Sequence, residues 1–246
     1  MPALFPRDWL ADAPYVEREL GVLKAGKESE VHLLSRTGPT RACLIAEKRF
    51  KPRLQRAFRN DYLYAGVWGE GTRHESRAMK KRTRFGQEFL QMRWVAHEWA
   101  ILGRLHAAGV TVPPPVEPIE SGYRMAFIGD GDRAAPRLAD VDLDVVTARA
   151  VWRRLQREVR AMLEAELVHG DLSAFNILWW REQPVIIDFS QAVDVVTHPA
   201  ARDLLRRDVE QVAGYFRRQG VAIDIDAALT LVGDSPARFA HQVLSS

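Results

Sequence analysis

A single cysteine, Cys43 in the apolar run ACLIA, rules out an intrachain disulfide framework and a cysteine-based zinc cluster, and it fits a reducing compartment. No uninterrupted apolar stretch reaches the ~18 residues of a membrane-spanning helix, so no membrane association is expected. The opening MPALFPRDWLADAP has no charged segment followed by a long apolar one, so secretion is not expected either and a cytoplasmic location is. An excess of one charge is also missing: 35 Lys and Arg against 32 Asp and Glu leave only +3, a weak argument for nucleic acid. There is no internal repeat, no low-complexity tract and no G-x-G-x-x-G phosphate loop. What is there is 246 residues of ordinary globular composition, 47% hydrophobic and 27% charged, enough for one sizeable core or two lobes of roughly 100 residues each.

The first half reads as strands. VLKAG, VHLLS and ACLIAEK are short apolar or alternating segments separated by KESE and by Thr37-Gly38-Pro39, as in an antiparallel meander. A polar, arginine-rich stretch runs from Lys51 to about Gln87. Trp94, Glu98, Ile101, Leu102 and Leu105 then recur at helical spacing, and the helix should stop at Gly109, before the prolines at 113 to 115. Glu98 falls on the inward stripe. VEPIE and YRMAFI follow as two further strands around Ser121-Gly122. Near Gly129-Asp130-Gly131-Asp132 the patterning turns helical, which places a lobe boundary there. Val151, Trp152, Leu155, Val159, Met162 and Leu163 form a core stripe with Thr147 as N-cap, a Gln183-Pro184 turn introduces PVIIDF, and Pro199 opens a helix carrying Leu205, Val209, Val212 and Phe216. Trp94, Trp99, Trp152, Trp179 and Trp180 are read as core.

The residues that carry chemistry lie in HGDLSAFN, from His169 to Asn176, and in IIDFS, where Asp188 closes an apolar strand. Phosphoryl transfer needs a carboxylate beside the attacking hydroxyl and oxygen ligands for the magnesium that shields the phosphates. The D-x-x-x-x-N spacing puts both on one tight loop, with Asp171 towards the acceptor and the Asn176 carbonyl towards the metal, and Asp188 supplies a second metal ligand. In CLIAEK, Leu44, Ala46 and Lys48 share a face at period two, so an apolar surface suited to adenine leads to a cation suited to the α and β phosphates. Glu98 is the partner that would hold Lys48.

This order resembles protein-kinase-like folds, and several details resemble the RIO kinases in particular. KAGKESEVH (Lys24 to His32) is similar to their STGKEAxVY-type loop, and MAFIGDGDRAAPRL (Met125 to Leu138) to their MEFIG…APxL hinge. VHGDLSAFNIL, IDFSQAV and HPAARDLLRRDVEQVAGYF (His198 to Phe216) resemble the family's HGDLSxYN loop, metal-binding strand and HPxAxxFLxRD helix. The resemblance runs from about Gly21 to Phe216 and implies an α+β, two-lobed kinase-like fold. A small antiparallel-sheet N-lobe with a helix would occupy 1–128, including an N-terminal extension over 1–20, and a mainly helical C-lobe 129–246, the minimal form without a winged-helix domain. It implies ATP with Mg2+, or Mn2+, with Lys27, Ser29, Val31, Lys48, Glu98, Met125, Phe127 and Ile128 around the nucleotide, Asn176 and Asp188 on the metal, Asp171 as the catalytic carboxylate and His169 as a scaffold residue. No glycine follows as in DFG and no APE motif is present, as in RIO proteins, so peptide specificity is not legible.

The function expected is an atypical serine/threonine protein kinase acting on protein serine or on itself. An ATPase-like switch acting on a ribonucleoprotein partner, a small-molecule phosphotransferase and a nucleotide-binding scaffold stay open beside it. RAMKKRTR (Arg77 to Arg84), with five cations in eight residues, suggests RNA or a ribosomal particle as an anionic partner.

Overall fold

The computed structural model describes residues 14–39, 42–51, 84–234 and 239, together with their side chains except those of 84–94. The chain divides into two compact units, one from residues 1–100 and 113–134, the other from 101–112 and 135–246.

The first unit is built on five antiparallel strands in the order β1-β2-β3-β5-β4: β1 (Val16–Ala25), β2 (Ser29–Thr37), β3 (Ala42–Phe50), β4 (Pro115–Ile119) and β5 (Gly122–Ala126). Register sorts the side chains by face, since cross-strand partners point the same way. Val31 opposite Lys48, Leu33 opposite Ala46 and Ser35 opposite Leu44 share one face, which Tyr123 and Met125 continue across β5. The other face is a layer of ion pairs. Arg36 binds Glu17 and Glu117, Arg124 binds Glu17, Glu47 and Glu117, and Arg49 binds Glu19 and Glu47. These pairs explain why β1 begins at Val16, upstream of the apolar run VLKAG: Glu17 and Glu19 join the sheet through arginines on its neighbours. Ile45 and Ala126 on this face are buried.

Helix α1 (Arg84–Ala107) begins inside the polar stretch and runs to the expected end, where Gly109 takes φ +79° and the Val110 N–H closes on the Leu105 carbonyl at 3.1 Å. It meets the Lys48 face through Glu98 and through Trp99, whose ring lies 6.0 Å from that of Tyr123. Trp94 and the run Arg77 to Arg84 lie outside the described side chains. The turn Gly129-Asp130-Gly131-Asp132 belongs to a small hairpin of β6 (Gly129–Asp130) and β7 (Arg133–Ala134).

The second unit has a helical core of α2 (Val145–Glu164), α3 (Ala201–Arg218) and α4 (Ile225–Val232). The predicted stripes are buried, and Trp152 meets Phe216 at 5.6 Å. Phe216→Ala in this core would cost roughly 3–5 kcal/mol. Glu158 on α2 accepts from the Thr111 N–H at 2.8 Å and the Thr111 hydroxyl at 2.7 Å, fixing the segment that follows α1. Two short pairs complete the unit: β8 (Leu167–Val168) with β11 (Val193–Asp194), and the hairpin of β9 (Ile177–Trp180) and β10 (Gln183–Ile186).

Three local expectations are corrected. The N-cap of α2 is Asp144, not Thr147: its carboxylate accepts from the Val146 and Thr147 N–H groups at 2.9 and 3.0 Å, and Thr147 sits one turn inside. Pro199 precedes the Ala200 cap of α3 rather than opening the first turn. The β9–β10 turn is Arg181-Glu182, not Gln183-Pro184. Both turn residues are left-handed, at φ +48° and +59°, the type I′ geometry whose twist matches a tight hairpin even without glycine. Trp152 and Trp180 are buried, whereas Trp99 and Trp179 are only half-buried. No helix among the described residues is long and apolar enough to cross a membrane.

Candidate active site

In the first unit, β3 delivers Lys48 and α1 delivers Glu98 to the same point. The Lys48 Nζ donates to Glu98 Oε1 at 2.5 Å, and the Tyr123 hydroxyl donates to the same oxygen at 3.0 Å. Glu98 is 0% exposed, so the pair is held in a low-dielectric setting in which either charge alone would be costly. The rings of Phe50 and Tyr123 lie 5.3 and 6.0 Å from the ammonium. Of the other nucleotide candidates, Val31 pairs directly with Lys48 and Met125 with Ala46. The Phe127 N–H donates to the Leu44 carbonyl at 3.3 Å, and Phe127 and Ile128 are buried. Lys27 and Ser29 lie at the β1–β2 turn, closed by the Gly26 N–H on the Ser29 carbonyl at 2.9 Å; Lys27 is exposed and Ser29 half-buried.

The second unit holds the loop from His169 to Asn176. Asn176 closes it: its amide nitrogen donates to the Asp171 main-chain oxygen at 2.8 Å and lies 3.4 Å from Asp171 Oδ2. That leaves the Asn176 carbonyl oxygen for another partner and the Asp171 side chain exposed. The Ile187 N–H donates to the Asn176 main-chain carbonyl at 2.9 Å, which leaves the side-chain carbonyl unaffected and brings Asp188 beside the loop. Asp188, two residues beyond the end of β10, has φ +69°, a left-handed conformation uncommon for a residue with a Cβ. His169 is tautomer-fixed. Its Nε2 donates to the Ile187 carbonyl at 3.1 Å and its Nδ1 accepts from the Asp171 N–H at 3.3 Å, so it steadies the loop and has no lone pair left for a proton.

Asp208 on α3, 2% exposed, is the hub beneath the loop. Its two oxygens accept from the Gly170 N–H at 2.8 Å and the Leu172 N–H at 2.9 Å, while the Arg207 guanidinium donates to the Gly170 carbonyl. Burial pushes the Asp208 carboxyl up to about 7, against the pull of the two amides and Arg207. Gly170 is required on two counts: its φ is +78°, and a Cβ there would stand 2.2 Å from the Gln191 carbonyl oxygen. Arg207, Asp208 and Tyr123 were not among the predicted site residues. The signal for Asp208 was present, because it falls on the Leu205–Val209–Val212 stripe, where a lone carboxylate demands buried partners.

The donor set fits a hard cation. Among the described residues no group of three or more His, Cys, Asp or Glu could hold a metal ion by itself. A carboxylate at Asp188 and an orientated amide carbonyl at Asn176 instead suit magnesium, which takes one or two protein oxygens and completes its shell with phosphates and water.

The chain matches the model of the RIO domain family over residues 67–228. It is 38% identical over 139 residues to the RIO-type serine/threonine-protein kinase Rio1 of Haloferax volcanii, covering 56% of this chain and 47% of that one. It is 34% identical over 133 residues to Rio1 of Thermoplasma acidophilum, covering 54% and 68%. With the human serine/threonine-protein kinase RIO1 it shares 37% over 131 residues, covering 53% and 23%. The match thus spans about half of the Haloferax protein and a smaller part of the human one.

Proposed function

Because the chain belongs to the RIO domain family, we propose that it is an ATP-dependent serine/threonine protein kinase that transfers the γ-phosphate to a protein serine or threonine or to itself. The observation that carries this reading is the closed loop in which Asn176 holds the Asp171 main chain and leaves the Asp171 carboxylate exposed to an incoming hydroxyl. Asp171 orients that hydroxyl and takes its proton as the acceptor oxygen bonds to the γ-phosphorus and the bond to the β-bridging oxygen breaks, releasing ADP. Lys48, held by Glu98, meets the α and β phosphates. Lys27, Ser29, Val31, Met125, Phe127 and Ile128 surround the nucleotide. Asn176 and Asp188 would hold magnesium, which when bound neutralises phosphate charge. Most of the rate comes from positioning and charge neutralisation.

The test is transfer from γ-labelled ATP with magnesium, resolving protein-bound label from free phosphate, for the wild type beside Asp171→Asn and Asp188→Asn. Protein-bound label on serine or threonine that depends on both aspartates is expected. Label released as free phosphate, or a hydroxylamine-sensitive phosphate on Asp171, would mark an ATPase-like switch instead. ATP binding with equal inertness in all three proteins would leave only a scaffold. An anionic partner such as RNA or a ribosomal particle at Arg77 to Arg84 belongs to the same proposal. Reversing three of those charges should weaken ribosomal RNA binding and flatten its salt dependence, and unchanged binding removes that partner.

A further inference from the structure

Within the loop from His169 to Asn176 the apolar side chains divide sharply. Leu172 and Ala174 are buried, as is Ile177 just beyond, whereas Phe175 is 59% exposed. Its outward direction is imposed by the fold. The loop is pinned below by Asp208 on the Gly170 and Leu172 amides, closed at its end by the Asn176 N–H on the Ser173 carbonyl at 2.9 Å, and locked across by the Asn176 side chain on Asp171. A rigid loop that holds a phenylalanine in water leaves unused an apolar surface whose burial would be favourable.

Position makes that surface informative. Phe175 is bonded to Asn176, whose side-chain amide nitrogen donates to the Asp171 main-chain oxygen at 2.8 Å, so Phe175 and the catalytic carboxylate both belong to one short closed loop, and both side chains are exposed. A hydroxyl activated by Asp171 must come within about 3 Å of its carboxylate. In an extended acceptor segment the next Cα is about 3.8 Å further on, so the side chains flanking the acceptor lie over the loop that exposes Phe175. We propose that Phe175 is a specificity-determining residue that packs against an apolar side chain flanking the acceptor serine or threonine of a protein substrate. This rests on the kinase reading of the same loop. An apolar partner is favoured because the benzyl ring offers no hydrogen bond and would strand a polar neighbour without one.

The experiment uses the full chain, γ-labelled ATP with magnesium, and a positional-scanning set of single-serine peptides that vary each flanking residue between Leu, Phe, Asn, Lys and Glu. Selectivity is read as the ratio of kcat/KM for apolar and Asn peptides, because damage to folding or to the nucleotide site lowers both alike. The wild type should prefer an apolar residue at one flanking position by about tenfold, the discrimination one apolar contact supplies. Phe175→Ala should bring the ratio to within about twofold, mainly through KM for the apolar peptide, Phe175→Tyr should retain it, and Phe175→Glu should move the preference to Lys. A wild type without apolar preference, a preference that survives Phe175→Ala, or label on the protein itself but on no peptide overturns this proposal alone. Label on neither peptides nor the protein overturns the kinase reading from which it starts.

Discussion

Removing the Asp208 carboxylate separates the stability of the fold from the order of the catalytic loop, and pH tells the two apart. In Asp208→Ala the Gly170 and Leu172 amides, both buried, lose their acceptors. At roughly 1–3 kcal/mol for each stranded donor, the loss is about 2–6 kcal/mol. Against it stands the burial of the carboxylate, which moves its pKa from 3.8 to about 7. Holding the carboxyl near 7 makes the ionised form about 4 kcal/mol less compatible with the fold than the protonated one. Since the folded value is raised, the native protein holds a proton that the unfolded chain has lost between about pH 4 and 7. Wild-type stability from this group is therefore greatest below pH 4, falls through that window and levels off above about 7. Asp208→Ala lacks this slope, so its deficit in urea unfolding should be large at pH 4.5 and about 3 kcal/mol smaller at pH 8. Hydrogen exchange at Gly170 and Leu172 should still be much faster than in the wild type at pH 8, and phosphotransfer lower by ~100-fold, because a loop misplaced by about an ångström loses its attack geometry. A deficit that does not change with pH would mean that Asp208 does not take up a proton on folding, and loop amides that stay protected would mean that it does not order the loop.

Lys48→Met should abolish transfer and destabilise the first unit by ~3–5 kcal/mol, because Glu98, at 0% exposure, loses its cationic partner; Lys48→Met/Glu98→Leu should recover most of the stability and none of the transfer, read by denaturant titration beside the labelled-ATP assay. Gly170→Ala places a Cβ against the Gln191 carbonyl at a left-handed φ, so a loss of more than ~2 kcal/mol in thermal unfolding is expected. His169→Ala should lower the rate while leaving the shape of the pH–rate profile intact, whereas a profile that loses a limb would make the histidine a base.

How much of this was legible follows from what each residue needs in order to be recognised. That Asp171 and Asn176 share one tight loop with Asp188 beside it was readable, because spacing on a loop and the segment after it is a local property. The stripes of α2 and α3 were readable for the same reason, as apolar burial leaves its period in the chain. β1 was readable only in part, because its face carrying Glu17 and Glu19 is satisfied by arginines on β2, β3 and β5, and a charged residue paired across strands looks in sequence like a solvated one. The turn at Arg181-Glu182 hid for a different reason: its left-handed residues carry side chains that local preference disfavours, and the pairing of β9 with β10 overrides that preference. Asp208 lies between these cases. Its place on an apolar stripe was visible, but its two amide partners lie 36 and 38 residues upstream, where only folding brings them within reach. The local chemistry of the loop is thus written in HGDLSAFN, while the rigidity that makes the chemistry effective, and that holds Phe175 out in water, is supplied by a helix the loop does not meet until the chain has folded.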